Sequence, residues 1–193
     1  NTAGSFNTAS GFDSLYSNTT GDDNTATGHY SLFANTTGYD NTAGGYQSLL
    51  SNTTGANNTA SGYQSLSNNT TGNYNTASGG TSLYSNTTGS YNLASGRQSL
   101  YYNQTGSYNV AIGTEAGLGA SSQSHSNGTY LGYRAGYSVS TGGSNILLGY
   151  KAGDAITTGG KNIVIGYDVD AASNTLSGQL VIGNLIYGNG MTA

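Results

Sequence analysis

Apolar side chains in this chain follow neither the twofold spacing of a lone strand nor the 3.6-fold spacing of a helix; they return every 17 residues. Leu15, Leu32, Leu49, Leu66, Leu83 and Leu100 occupy one place in a unit that reads Asn-Thr-Ala-x-Gly-x-x-Ser-Leu-x-x-Asn-Thr-Thr-Gly-x-x. Its copies begin at Asn7, Asn24, Asn41, Asn58, Asn75 and Asn92, without insertion or deletion. Within Thr8 to Phe12 an extended backbone puts Ala9 and Gly11 on one face and Thr8 and Ser10 on the other. The segment Asn18-Thr19-Thr20-Gly21 then reads as a turn, with Gly21 supplying positive φ and Asn18 bonding nearby backbone. One Leu and one Ala cannot form a core within a single unit, so successive units must stack along an axis. The expected fold is all-β: a parallel β-solenoid or β-roll with one 17-residue repeat per coil. A hairpin meander, turning every eight or nine residues, competes on spacing alone. Parallel stacking predicts like-on-like contacts 17 residues apart, whereas a meander sets successive strands against each other.

The frame continues beyond the regular copies. Asn109-Val110-Ala111-Ile112-Gly113 opens another unit, a two-residue insertion shifts the phase to Gly128, and units follow from Asn145, Asn162 and Gln179. At the other end Asn1-Thr2-Ala3-Gly4 is in phase with Asn18-Thr19-Thr20-Gly21, which predicts a natural start further upstream. The outer strand positions Thr8 and Ser10 become Ile146 and Leu148, then Ile163 and Ile165, then Leu180 and Ile182. Residues 1–108 therefore read as a repetitive shaft and 109–193 as a more apolar continuation or cap. Stacking sets Asn18, Asn35, Asn52, Asn69, Asn86 and Asn103 in one amide ladder, and Tyr16, Phe33, Tyr84 and Tyr101 in part of an aromatic one. The six leucines are the expected stacking core, and so thin a core predicts self-association, as a homotrimer or an end-to-end filament.

Composition narrows the function classes. The chain has 32 Gly, 17 Tyr, 6% charged residues and no Pro, Cys or Trp, which is unlike an average globular domain. Low-complexity tracts of this kind can stay disordered, but the strict register and regularly placed Tyr and Leu argue for order. Four basic residues, Arg97, Arg134, Lys151 and Lys161, against a net charge of -4, form no cluster able to displace counterions from nucleic acid. No apolar run approaches the ~20 residues of a membrane-spanning helix.

Asn145-Ile-Leu-Leu-Gly-Tyr-Lys-Ala-Gly, Asn162-Ile-Val-Ile-Gly-Tyr and Gln179-Leu-Val-Ile-Gly-Asn-Leu-Ile-Tyr-Gly resemble repeats of phage tail-fibre and surface-adhesin proteins. The Ala-x-Gly and Ile-Gly spacing is also similar to the head repeats of trimeric autotransporter adhesins. The resemblance implies a trimeric parallel β-roll at an extracellular, cell or virion surface. The 17-residue period is longer than the usual unit of the autotransporter heads.

Candidate chemistry is sparse. Asn18, Asn35, Asn52, Asn69, Asn86 and Asn103 each open an Asn-x-Thr sequon, so covalent glycans are one reading and turn chemistry is the other. Tyr46-Gln47 and Tyr63-Gln64 set aromatic faces beside amides, the makeup of a glycan-contact surface, or else serve packing alone. Thr25-Ala26-Thr27 offers a small hydroxyl array, the basis of a minor ice-binding reading. Asp22, Asp23 and Asp40, or Asp168 and Asp170, are the candidates for a calcium ion; no other cofactor is indicated. His29 and His125 occupy unrelated repeat positions and define no triad, and Gly117-Leu118-Gly119 lacks the context of a nucleotide loop. The expectation is a structural or adhesive fibre segment without catalysis, with a polymeric, glycosylated extracellular filament as the alternative.

Overall fold

The computed structural model describes residues 2–121 and 123–183. It is a solenoid built on one sheet of eleven parallel strands in sequence order. The strands are β1 (Thr8–Ser10), β2 (Thr25–Thr27), β3 (Thr42–Gly44), β4 (Thr59–Ser61), β5 (Thr76–Ser78), β6 (Leu93–Ser95), β7 (Val110–Ile112), β8 (Thr129–Leu131), β9 (Ile146–Leu148), β10 (Ile163–Ile165) and β11 (Leu180–Ile182). Thr8 pairs with Thr25 and Ile163 with Leu180, both 17 apart, which excludes the hairpin meander. Val110 pairs with Thr129, so the two-residue insertion is absorbed between β7 and β8 without interrupting the sheet. Ten steps of ~4.8 Å make a rod of roughly 50 Å along the stacking axis.

The middle residue of each strand points inward and its neighbours point out. Ala26, Ala43, Ala60, Ala77, Ala94 and Ala111 are buried beside Leu32, Leu49, Leu66, Leu83 and Leu100, with Leu15 at the edge of the same core. From β8 onward the two positions exchange bulk. The strand position becomes Tyr130, Leu147 and Val164, and the leucine position becomes Gly136 and Gly153, after Gly117 has already replaced it beside Ala111 in the β7 coil. A Cβ on Gly117 or Gly136 would lie 2.6 Å from a Tyr130 ring carbon, so the tyrosine fills the space that the leucines vacate.

The coil is closed by backbone that most L-residues avoid. Asp13, Leu15 and Asp23, at φ of 53°, 52° and 55°, adopt the left-handed region, and their counterparts repeat this from coil to coil. Gly21 does not: it, Gly38, Gly55, Gly72, Gly89 and Gly106 lack positive φ. Their glycine identity answers close approach instead, because a Cβ on Gly21 would collide with the carbonyl oxygen of Gly38 in the next coil.

Candidate functional site

The six sequon asparagines lie inside the coil, each at most 1% exposed. Asn35 Nδ2 donates to Asn18 Oδ1 at 2.8 Å and to the Gly38 carbonyl at 2.9 Å. Asn52 and Asn69 repeat both bonds on their own neighbours, and Asn86 does so at 2.7 and 3.0 Å. In Asn35, Asn52, Asn69 and Asn86 both amide hydrogens are engaged, and all six side chains are shielded from solvent in the folded coil. The structure thus engages Asn18, Asn35, Asn52, Asn69, Asn86 and Asn103 in turn and ladder hydrogen bonds, the alternative to the covalent-glycan reading.

A second ladder runs through the first residue of each unit, which the sequon pattern obscures. Asn41 Nδ2 donates to Asn24 Oδ1 at 3.1 Å and to Gly55 O at 2.8 Å, and the Asn41 backbone N–H donates to the same Asn24 oxygen. Each turn glycine carbonyl is therefore shared by both ladders, as when Gly55 O accepts from Asn52 at 2.9 Å and from Asn41. The 17-residue recurrence of asparagine at the first position is the signal for it in the sequence.

The first ladder ends at the insertion. Asn103 Oδ1 accepts the His125 N–H at 3.2 Å, and Asn86 Oδ1 is left buried without a partner. Beyond it Val139 and Ile156 take the asparagine position and are fully buried. The second ladder skips at Gly128, because the Tyr130 phenol occupies that space. His125 packs against Tyr130 with centroids 5.2 Å apart, and neither ring nitrogen nor the phenol oxygen has a hydrogen-bond partner. Burial lowers the His125 pKa to about 4 and pushes the Tyr130 phenol above its usual range.

On the outside, aromatic rings stack in files. Phe12, His29, Tyr46 and Tyr63 form one, with centroid spacings of 5.2 to 5.4 Å. Tyr46 is thus covered on both faces, by His29 and Tyr63, and Gln64 Nε2 donates to Gln47 Oε1 at 2.7 Å. The Tyr46 and Gln47 pair is therefore engaged in the ladders, and only Tyr63 keeps one face toward a gap. Tyr16 stacks on Phe33, and Tyr84 on Tyr101, as two separate pieces of another file. Tyr74, Tyr91 and Tyr108 make a further file, and Tyr133, Tyr150 and Tyr167 resume the first one beyond Gly80, Arg97 and Thr114. His29 stands inside a ring stack, far in register from His125.

The ion pairs among the described residues centre on Glu115. Glu115 accepts from Arg134 Nε at 2.6 Å and lies 3.6 Å from Arg97, while Arg134 also covers the Tyr137 ring at 4.7 Å. The acids considered for calcium are otherwise engaged or dispersed: Asp22 accepts the Ser5 N–H, and Asp170 accepts the Ala155 N–H. Burial, with Asp170 next, raises the Asp154 pKa. Among the described residues no group of three or more His, Asp or Glu side chains could hold a metal ion.

The outer face of the sheet changes along the axis. In β2 it presents Thr25 and Thr27, whereas β7 to β10 present Val110, Ile112, Leu131, Ile146 and Ile163, all exposed. Among the described residues no helix is long and apolar enough to cross a membrane. No family model, curated protein or solved structure matches the chain.

Proposed function

We propose that this chain is a segment of an extracellular or virion-surface fibre that extends, resists proteolysis and presents an adhesive outer surface, without catalysis. The observation that carries this reading is the uninterrupted eleven-strand sheet, in which each coil repeats the hydrogen bonds of the last. Such a body grows only along its axis, and the buried asparagines of its regular coils bond to the neighbouring coil. A protease needs an extended, accessible segment, and these tightly stacked turns offer few. The files of tyrosine supply a broad, weakly charged outer surface suited to sugars at a cell surface.

Self-association belongs to the same reading, as a homotrimer joined through the apolar face of β7 to β11. A second copy of the chain presents the same apolar residues at the same strand spacing, so matching rungs can meet in register. Contiguous exposed aliphatic residues on an otherwise polar protein are the mark of an interaction surface. Electron cryo-microscopy of the purified chain, with sedimentation analysis, tests this. Threefold rods of finite length support the proposal. Monomers at micromolar concentration would sink the trimer, and continuous filaments would establish the end-to-end polymer in its place.

A further inference from the structure

The file of rings that includes Tyr46 and Tyr63 loses its next member at Gly80, one coil before Arg97. A Cβ placed on Gly80 meets nothing within 4 Å, so the gap is open space and not a site of close backbone approach. It forms a groove of about 340 Å³ lined by Tyr63, Gly80, Thr81, Arg97 and Gln98. On one side stands the uncovered face of Tyr63, whose other face stacks on Tyr46 at 5.4 Å and 8°. On the other stands Arg97, with a side chain 64% exposed and a single ion-pair contact, to Glu115 at 3.6 Å on the coil beyond.

The dimensions admit a ring-sized occupant, and the lining chemistry selects among them. Two coil steps span ~9.6 Å, and subtracting half the thickness of a ring and of a guanidinium leaves ~6 Å free. A ring-sized group fits such an opening, as Tyr46 does between His29 and Tyr63 at 5.4 Å from each, and a pyranose chair with its axial hydrogens fills it as well. A pyranose also presents an apolar C–H face to an aromatic ring and hydroxyls to its rim, and Thr81 and Gln98 line that rim. Arg97 adds a planar fork of N–H donors matched to a carboxylate.

We propose that the missing rung at Gly80 is a subsite for one carboxylate-bearing pyranose of an acidic polysaccharide, stacked on Tyr63 and ion-paired to Arg97. This deepens the reading of the rod's outer surface as adhesive and rests on it. Binding of glucuronic-acid tetramers, glucose tetramers and benzoate is measured by titration calorimetry on the full chain, Gly80→Tyr and Arg97→Gln. The expected result is binding of the glucuronate tetramer to the full chain, weakened at least tenfold in Gly80→Tyr. That variant extends the ring file by one rung, so its melting temperature should hold or rise. Arg97→Gln should bring glucuronate down to the level of glucose. Equal binding by Gly80→Tyr, no binding by the full chain, or a preference for benzoate would each overturn the subsite. Rods that assemble but ignore glucuronate overturn the subsite alone; monomers that bind it overturn the trimeric fibre alone.

Discussion

Tyr130 Cδ1 lies 2.6 Å from the point that a Cβ on Gly136 would occupy, so the bulk of the core has passed from the turn to the strand at β8. In earlier coils the same two positions hold alanine and leucine, as at Ala94 and Leu100. Gly136→Ala should destabilise the fold by about 3 kcal/mol, from overpacking and from the residue's φ of 65°. In a Tyr130→Ala background the ring collision disappears, leaving the movable Leu147 Cδ1 at 2.9 Å, and the added cost should fall to about 1 kcal/mol. Urea unfolding of the four proteins reads the coupling directly. Simple additivity would show that the two sites do not share space.

Asn52 serves both the coil before it and the coil after it. Its Nδ2 donates to Asn35 Oδ1 and Gly55 O, and its Oδ1 accepts from Asn69 at 2.8 Å. Asn52→Ala should cost about 3 kcal/mol, since it strands polar atoms that water cannot reach. Asn52→Asp should cost more at neutral pH, because a carboxylate oxygen would replace a donor beside Asn35 Oδ1. Thermal melts of both variants check the order. A loss below about 0.5 kcal/mol for the alanine variant would mean the ladder contributes nothing net.

Much of the fold is legible in the sequence, and the reason is stacking. A coil that repeats on itself imposes the same environment every 17 residues, so the spacing of Leu32 and Leu49 carries the architecture and the register alike. The direction in which an asparagine points is not legible. Asn18 fits a sequon and a ladder rung in the sequence, and its burial in the coil accords with the rung. Left-handed backbone at Leu32 and Leu49, both at φ of 50°, leaves no trace in composition, since leucine has no preference for it. The turn glycines mislead for a related reason, because glycine marks both positive φ and close approach, and Gly21 answers the second.

The left-handed positions give a stabilising prediction. Thr81 is β-branched and sits at φ of 54°, next to the open groove. Asparagine tolerates this conformation far better, so Thr81→Asn should raise stability by about 1 kcal/mol. Chemical denaturation of the variant beside the parent chain measures it. Unchanged or lower stability would imply that the Thr81 hydroxyl, which donates to Gly80 O at 2.8 Å, outweighs the strain.

The apolar outer face gives another. Ile146 and Ile163 stand at the same register on β9 and β10 and are both exposed. Replacing both with lysine should leave the stability of an isolated chain within about 0.5 kcal/mol per site while weakening self-association at least tenfold. Sedimentation velocity across a concentration series separates the two effects. An unchanged assembly would move the contact between copies to another face.

His125 gives the rod a pH limit. In the folded chain its pKa is lowered to about 4 by burial, against 6.5 for an ordinary histidine, and neither ring nitrogen has a partner to accept or share a proton. The unfolded chain therefore binds the extra proton first, and stability must rise with pH across that interval. The contribution is whole above about pH 6.5 and is lost progressively as the pH falls toward 4, by about 3 kcal/mol in all. Asp154 works in the opposite sense, because its pKa is raised in the fold and its protonation favours the folded state. Comparing the parent with His125→Phe cancels that opposing term, since both chains keep Asp154. The difference in unfolding free energy between them should change by about 3 kcal/mol from pH 7 to pH 4, with the parent losing ground. A difference that stays flat over that range would mean that the protonated ring finds water or a partner, and that the coil around Tyr130 opens without cost.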